Sequence, residues 1–370
     1  MDDKKYWIGF NLIKGIGAVW MQSLVAYFGD LESAWKADAS ALMEAGLGAK
    51  LAEKVVGART QIDLDQVLAK IEAQGITILT WADETYPNRL KEIDQPPPVL
   101  YIRGEYLMDD LFAVAIVGTR KVTPYGRQVT EEIASFLAAN GITVVSGLAR
   151  GVDAIAHQTA LKAGGRTIAV LGSGVDKIYP PEHRALAEQM MQRGAVMSDY
   201  AVGTPPDASN FPPRNRIISG LSLAVVVIEA AETSGSLITA EFAAEQGREV
   251  FAVPGSILAP QSKGANRLLQ KGAQPLLTPM DLMQALDLTR MDKQKTARKV
   301  LPSDETETLL LNTLGAEPMH VDEIRRQSEL PIEKISATLV LMELKGMVRQ
   351  VGGMNYVAVR EGQAGYKENP

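Results

Sequence analysis

The sequence predicts an α/β protein built on a doubly wound, mostly parallel sheet, and three observations carry that expectation. Between about residues 111 and 280, short apolar runs alternate with amphipathic stretches of helical period. Most of those runs end in a loop of small residues that feeds the next helix. A composition of 46% hydrophobic and 22% charged residues over 370 positions is that of an ordinary globular chain with room for two or three domains.

Residues 1–70 read as helical, with apolar positions at helical spacing and Gly-containing turns at Gly15-Ile16-Gly17 and Gly46-Leu47-Gly48. Two such turns suggest a helix-hairpin-helix or SAM-like domain, in which backbone amides approach a phosphate without reading sequence. Few basic residues flank either turn, so a plain helical turn fits equally well. Trp7, Trp20, Trp35 and Trp81 fall in this region or just after it, and core packing explains them more simply than base stacking. Residues 71–110 read as a connecting segment, with one short strand at Gly75–Thr80 and stiffening prolines at Pro87 and Pro96-Pro97-Pro98.

Residues 111–285 form the expected Rossmann-like domain. Its candidate strands are Ala113–Val117, Thr143–Ser146, Thr167–Leu171, Ala195–Ser198, Leu223–Glu229, Val250–Val253 and Gln274–Leu276. Helices fit near Pro124–Asn140, Val152–Ala163, His183–Arg193 and Ser236–Gln246. Residues 286–303, polar and rich in Lys and Arg, read as a linker. In residues 304–360, three helical stretches and a hairpin turning at Gly352-Gly353 predict a winged helix.

Several chemistries are excluded early. There is no Cys, which removes disulfides and thiolate metal sites. His157, His183 and His320 are far apart and lack ligand-like spacing, so they are expected to be isolated and solvated, and neither metal nor catalytic residues are expected. No signal-peptide pattern opens the chain and no charge-free run is long enough to span a bilayer, so a cytoplasmic protein without membrane contact is expected. A net charge of −6 means that any nucleic-acid binding must be local.

A local anion site is what the strand-end loops offer. Gly118-Thr119-Arg120 follows the first central strand, Ser146-Gly147-Leu148-Ala149-Arg150-Gly151 the second, and Gly172-Ser173-Gly174 the third. Phe211, Arg214, Asn215 and Arg216 then place guanidinium forks and an amide beside an aromatic ring, a set suited to phosphates and an unpaired base. Ser234, Gly235 and Ser236 add hydroxyls and a helix N-terminus, and Lys263 and Arg267 add further donors. One such loop alone is ordinary packing, whereas five converging on one sheet edge point to a phosphate-lined site.

These residues also carry a resemblance. Ile116–Arg120, Val145–His157, Val170–Asp176, Phe211–Gly220 and Thr233–Ala240 together resemble the signature of the DNA-processing protein A (DprA/Smf) family. The resemblance covers the central domain and extends to Asp83-Glu84-Thr85-Tyr86-Pro87, the helical start and the winged-helix tail. It implies a homodimeric, single-stranded-DNA-binding recombination mediator without cofactor or enzymatic activity. Such a protein protects incoming DNA in natural transformation, helps displace single-strand-binding protein and loads RecA. By position it implies that Gly118, Thr119 and Arg120 hold a phosphate, that Arg150 and Arg214 to Arg216 extend a positive pocket, and that Phe211 contacts a base. Relatives often carry a basic residue shortly before the Phe, where this chain has Asp207-Ala208-Ser209-Asn210. Affinity is then either weaker or more dependent on Lys263 and Arg267.

Rival readings fare less well. A nicotinamide enzyme would need a three-glycine fingerprint and an acidic residue ending the second strand, where Ser146 stands. A nucleotide hydrolase of the lysine-decarboxylase-like Rossmann type is the stronger rival. Its essential Glu would fall at Phe242 if the threonines correspond, and Glu241 points about 100° away around the helix. A duplex-gripping winged helix is disfavoured because residues 304–360 hold nine acidic against six basic side chains.

Overall fold

The computed structural model describes residues 3–286, 305–314, 318–328, 330–344, 347–351 and 353–358. The chain divides into two compact units, residues 1–282 and 283–370. The expected 286–303 linker lies almost entirely outside the described residues.

The first unit opens with six helices: α1 (Lys4–Asn11), α2 (Ala18–Phe28), α3 (Leu31–Lys36), α4 (Ala39–Glu44), α5 (Ala49–Arg59) and α6 (Leu64–Glu72). Asp30, Asp38 and Asp63 cap α3, α4 and α6 by accepting the amides of Ser33, Ala41 and Gln66. The two Gly-hydrophobic-Gly turns join α1 to α2 and α4 to α5, with Gly15 and Gly46 at positive φ and Ile16 and Leu47 buried. The tryptophans serve packing: Trp35 meets Phe10 edge to face at 5.1 Å, and Trp7 meets Trp81 at 5.6 Å.

The sheet has nine strands, β1 (Thr77–Thr80), β2 (Val99–Gly104), β3 (Ala113–Val117), β4 (Thr143–Ser146), β5 (Thr167–Val170), β6 (Gly194–Ser198), β7 (Ala224–Val227), β8 (Glu249–Ala252) and β9 (Gln274–Pro275). Their order is β1-β2-β6-β5-β4-β3-β7-β8-β9, parallel throughout except where β1 meets β2 and β2 meets β6. Every expected central strand is present at nearly its expected bounds. The stretch read as a connection does more than connect, since β1 and β2 extend the sheet as an antiparallel edge. Pro98 hides β2 in the sequence because it cannot donate to a ladder, yet a buried strand begins directly after it.

The lead-in Asp83–Pro87 fastens this edge. The Asp83 carboxylate accepts from the Thr80 amide at 2.7 Å and pairs with Lys4 at 2.7 Å, while the Tyr86 hydroxyl donates to the Pro97 carbonyl at 2.7 Å. Helices α8 (Pro124–Ala139), α9 (Val152–Lys162), α10 (Arg184–Arg193), α11 (Phe211–Leu221), α12 (Gly235–Glu245) and α13 (Lys263–Gln270) cross between the parallel strands, following the short α7 (Asn88–Lys91). The chain reverses direction across the sheet between β3 and β7, the switch point where such folds hold ligands.

In the second unit, helices Glu305–Thr313, Val321–Ser328 and Ile332–Leu344 accompany a three-stranded antiparallel sheet, the expected winged helix. Leu310, Ile324, Leu339, Met342 and Tyr356 are among its core residues.

The histidines depart from expectation. His157 is fully buried on α9, its Nδ1 2.6 Å from the Thr167 hydroxyl, and His183 bonds the Leu148 carbonyl at 2.8 Å; only His320 is substantially exposed. Thr167 sits at the start of β5, so a polar ring fits among apolar neighbours by bonding a strand hydroxyl. Burial pushes the His157 pKa from 6.5 down to about 3. The native ring therefore stays neutral where the unfolded chain takes up a proton. Stability is undiminished above about pH 6.5 and falls as pH drops toward 3, at up to about 1.4 kcal/mol per unit. His157→Gln is expected to flatten this slope in urea denaturation series between pH 7 and 4.5. An unchanged slope would assign the acid sensitivity to other groups.

Candidate nucleic-acid interface

The carboxyl ends of β3 and β7 part around a cleft of about 690 Å³. Backbone contacts build its floor. The Thr119 amide donates to the Glu229 carbonyl at 2.7 Å, and the Val152 amide donates to the Thr119 carbonyl at 3.2 Å, so the loops after β3, β4 and β7 are tied together. Glu229, buried just beyond β7, accepts from the Thr123 amide at 3.0 Å and from its hydroxyl at 2.5 Å. Thr123 caps α8 with Pro124 in its first turn, so one carboxylate fixes where that helix starts.

Nine of the expected residues line the cleft: Gly118, Thr119 and Arg120 from the β3 loop, Phe211, Arg214 and Asn215 from α11, and Ser234, Gly235 and Ser236 from the start of α12. Ser234 caps α12 through the Ser236 amide, and the Asn215 amide group donates to the Gly235 carbonyl at 3.3 Å. That start presents amide dipoles to the cleft.

Arg214 differs from the expected surface cation. Its guanidinium is buried and donates to the carbonyls of Gly147 (3.1 Å) and Val170, while its Nε donates to Asn215. Burial lowers its pKa to about 10, with Asp153 opposing the shift, so it remains a cation at neutral pH. The buried Asp153 carboxylate accepts the amides of Gly147 (3.1 Å) and Ala149 (3.3 Å), and burial raises its pKa against the pull of Arg214. Arg214 lines the cleft as a buried cation with the Asp153 carboxylate beside it.

Other expected residues lie outside the lining. Ser146 is buried, its hydroxyl donating to the Ile116 carbonyl at 2.6 Å, which ties β4 to β3. Gly147 and Gly172 are seats: a Cβ would come within 3.0 Å of the Arg214 guanidinium at one and 2.8 Å of the Phe211 ring at the other. Arg150 pairs with Glu182 at 2.5 Å, Arg216 with Asp199 at 2.9 Å, and Arg267 with Glu232 at 3.8 Å. Lys263 begins α13 and is exposed. The loop departure at Asp207 is absorbed locally, since its carboxylate accepts the amide and hydroxyl of Ser209.

Lys121, Tyr179 and Asp153 line the cleft without having been expected there, and Thr239, from the hydroxyl-bearing Thr233–Ala240 stretch, lines it too. Lys121 was signalled by its place beside Arg120. Tyr179 arrives from a loop with no periodic signal, and Asp153 and Glu229 read in sequence as a helix charge and a strand end. Arg120 and Lys121 are exposed, and among the described residues neither is paired with a carboxylate.

Comparisons with known proteins agree with this architecture. Residues 77–287 match the family DNA recombination-mediator protein A, and residues 294–354 match the DprA winged helix domain. Protein Smf of Synechocystis is 38% identical over 96% of this chain and 98% of its own. DNA processing protein DprA of Bacillus subtilis is 40% identical over 68% of this chain and 88% of its own. The crystal structure of DNA processing protein A from Streptococcus pneumoniae superposes with a TM-score of 0.67 at 34% identity, covering 77% of this chain and 97% of that one. DNA processing protein A from Helicobacter pylori, whose structure concerns its single-stranded DNA binding mode, superposes with a TM-score of 0.51 at 33% identity over 57% of this chain and 95% of that one. From its sheet topology to its winged helix, this chain belongs to the DNA recombination-mediator protein A family.

Proposed function

We propose that the cleft between β3 and β7 holds single-stranded DNA with little sequence preference. We further propose that the chain acts in the cytoplasm as a homodimer that protects incoming strands from degradation, relieves them of single-strand-binding protein and delivers them to RecA. The observation that carries the reading is the pairing of two unneutralised cations, Arg120 and Lys121, with a partly exposed aromatic ring, Phe211, in one cleft. Cations and helix amides hold phosphates whatever the sequence, and a ring takes any unpaired base. The single-stranded DNA named for the Helicobacter pylori relative supports the ligand class.

Hydrolysis of a nucleotide has less support. Among the described residues lining the cleft the one carboxylate is Asp153, buried and committed to two loop amides, while Glu241 and Phe242 lie outside the lining. A general base must reach a water beside the scissile bond. Incubation with nucleoside monophosphates is expected to release no free base.

Single strands are expected to bind more tightly than duplex of equal length, and equal affinity would overturn the reading. Arg120→Ala is expected to weaken binding by about 1.5–3 kcal/mol, the range for a charge-assisted hydrogen bond. An unchanged Kd would remove Arg120 from the site.

Salt dependence counts the phosphates held. Because Arg150, Arg216 and Arg267 are already paired, two or three net contacts are expected. At about −0.7 per contact the log–log slope of affinity against salt then lies near −1.4 to −2.1. A mononucleotide that competes as well as an oligonucleotide would favour a small-ligand pocket instead.

Deleting residues 304–370 is expected to leave single-strand affinity within about twofold, since the acidic winged helix offers little to phosphates. Loss of binding in a folded truncation would move the site to that unit.

A further inference from the structure

Tyr179 extends the aromatic surface of the cleft in a direction that the strand-end loops alone do not indicate. It lines the same cleft, is 37% exposed, and its ring centroid lies 5.8 Å from that of Phe211 with the planes inclined by 33°. Phe211 is fixed on its other sides: the backbone of Gly172 leaves no room beneath the ring, and the Arg214 guanidinium lies 5.9 Å from its centroid. Arg150 is a neighbour of Tyr179, and its charged form is strengthened first by the hydrogen bond to Glu182 and, less strongly, by the Tyr179 hydroxyl. Phe211 and Tyr179 both line the cleft, and Arg150 does not.

We propose that Phe211 and Tyr179 form one continuous platform for two successive bases of a single strand. The inference rests on the single-stranded-DNA reading above and adds a second base-contacting residue to it. Its geometry selects against duplex. Neighbouring bases in a duplex lie parallel and about 3.4 Å apart along each strand, so they cannot both lie flat on rings 5.8 Å apart and inclined by 33°. A strand free to splay its bases can.

The test compares Tyr179→Ala, Tyr179→Phe and Arg120→Ala with the wild-type full chain. Affinity is measured for oligothymidine, for an abasic sugar-phosphate oligomer of the same length, and for duplex. Tyr179→Ala is expected to weaken oligothymidine binding about tenfold, within the range for loss of one stacked base. Tyr179→Phe is expected to bind as wild type does, and neither change should alter affinity for the abasic oligomer, which has nothing to stack. Wild-type affinity in Tyr179→Ala overturns the platform. So does an equal loss on both oligomers, which would mean a structural role. If those results appear while Arg120→Ala still weakens binding, the platform fails and the single-strand reading stands. A wild-type protein that does not prefer oligothymidine over duplex overturns both.

Discussion

Arg214, in the first turn of α11, carries its guanidinium under the cleft, where it donates to the carbonyls of Gly147 and Val170 at the ends of β4 and β5. A buried cation without partners would cost several kcal/mol, so the surrounding backbone must supply acceptors in one arrangement. The Asp153 carboxylate holds the amides of Gly147 and Ala149 in that arrangement and supplies the opposing charge. The small residues at the strand ends follow from this constraint, since a Cβ at Gly147 would meet the guanidinium. The position of Phe211 follows too, because the same helix that carries Arg214 sets the ring on Gly172.

A second consequence is where positive charge becomes available. Arg150, Arg216 and Arg267 each have their own carboxylate, which leaves Arg120 and Lys121 as the exposed cations of the cleft lining, with Arg214 buried beside them. This is how the proposed nucleic-acid site fits a chain of net charge −6. Attraction acts over roughly a Debye length, about 8–10 Å at physiological salt, and a compact cationic spot reaches little beyond the cleft.

Much of this architecture was legible in the sequence because its signals are local. Ala113–Val117 reads as a buried strand from five successive apolar residues, and all five are buried. The start of α8 reads from Thr123-Pro124, a cap and a first-turn proline. The convergence of Gly118–Arg120, Phe211 and Ser234–Ser236 was legible because parallel sheets bring successive strand ends to one edge. What the sequence could not show was partnership between distant residues. Arg214 and Arg216 look alike in a string, yet one is buried under the cleft and the other is paired with Asp199. The buried state of His157 depends on Thr167 across the α9–β5 turn, and the contact of Tyr179 with Phe211 spans thirty-two positions of chain. Strand β2 was masked by the prolines before it.

The two margins of the nine-stranded sheet show how the chain avoids an older hazard of β structure. A free strand edge is a template on which another chain can continue the ladder. At one margin, the Lys4 ammonium on α1 donates to the Ile78 carbonyl of β1 at 2.7 Å while paired with Asp83, placing a charge against the outermost strand. At the other, β9 is only Gln274–Pro275, and its proline has no amide to offer. Both margins thus carry a feature that opposes strand addition.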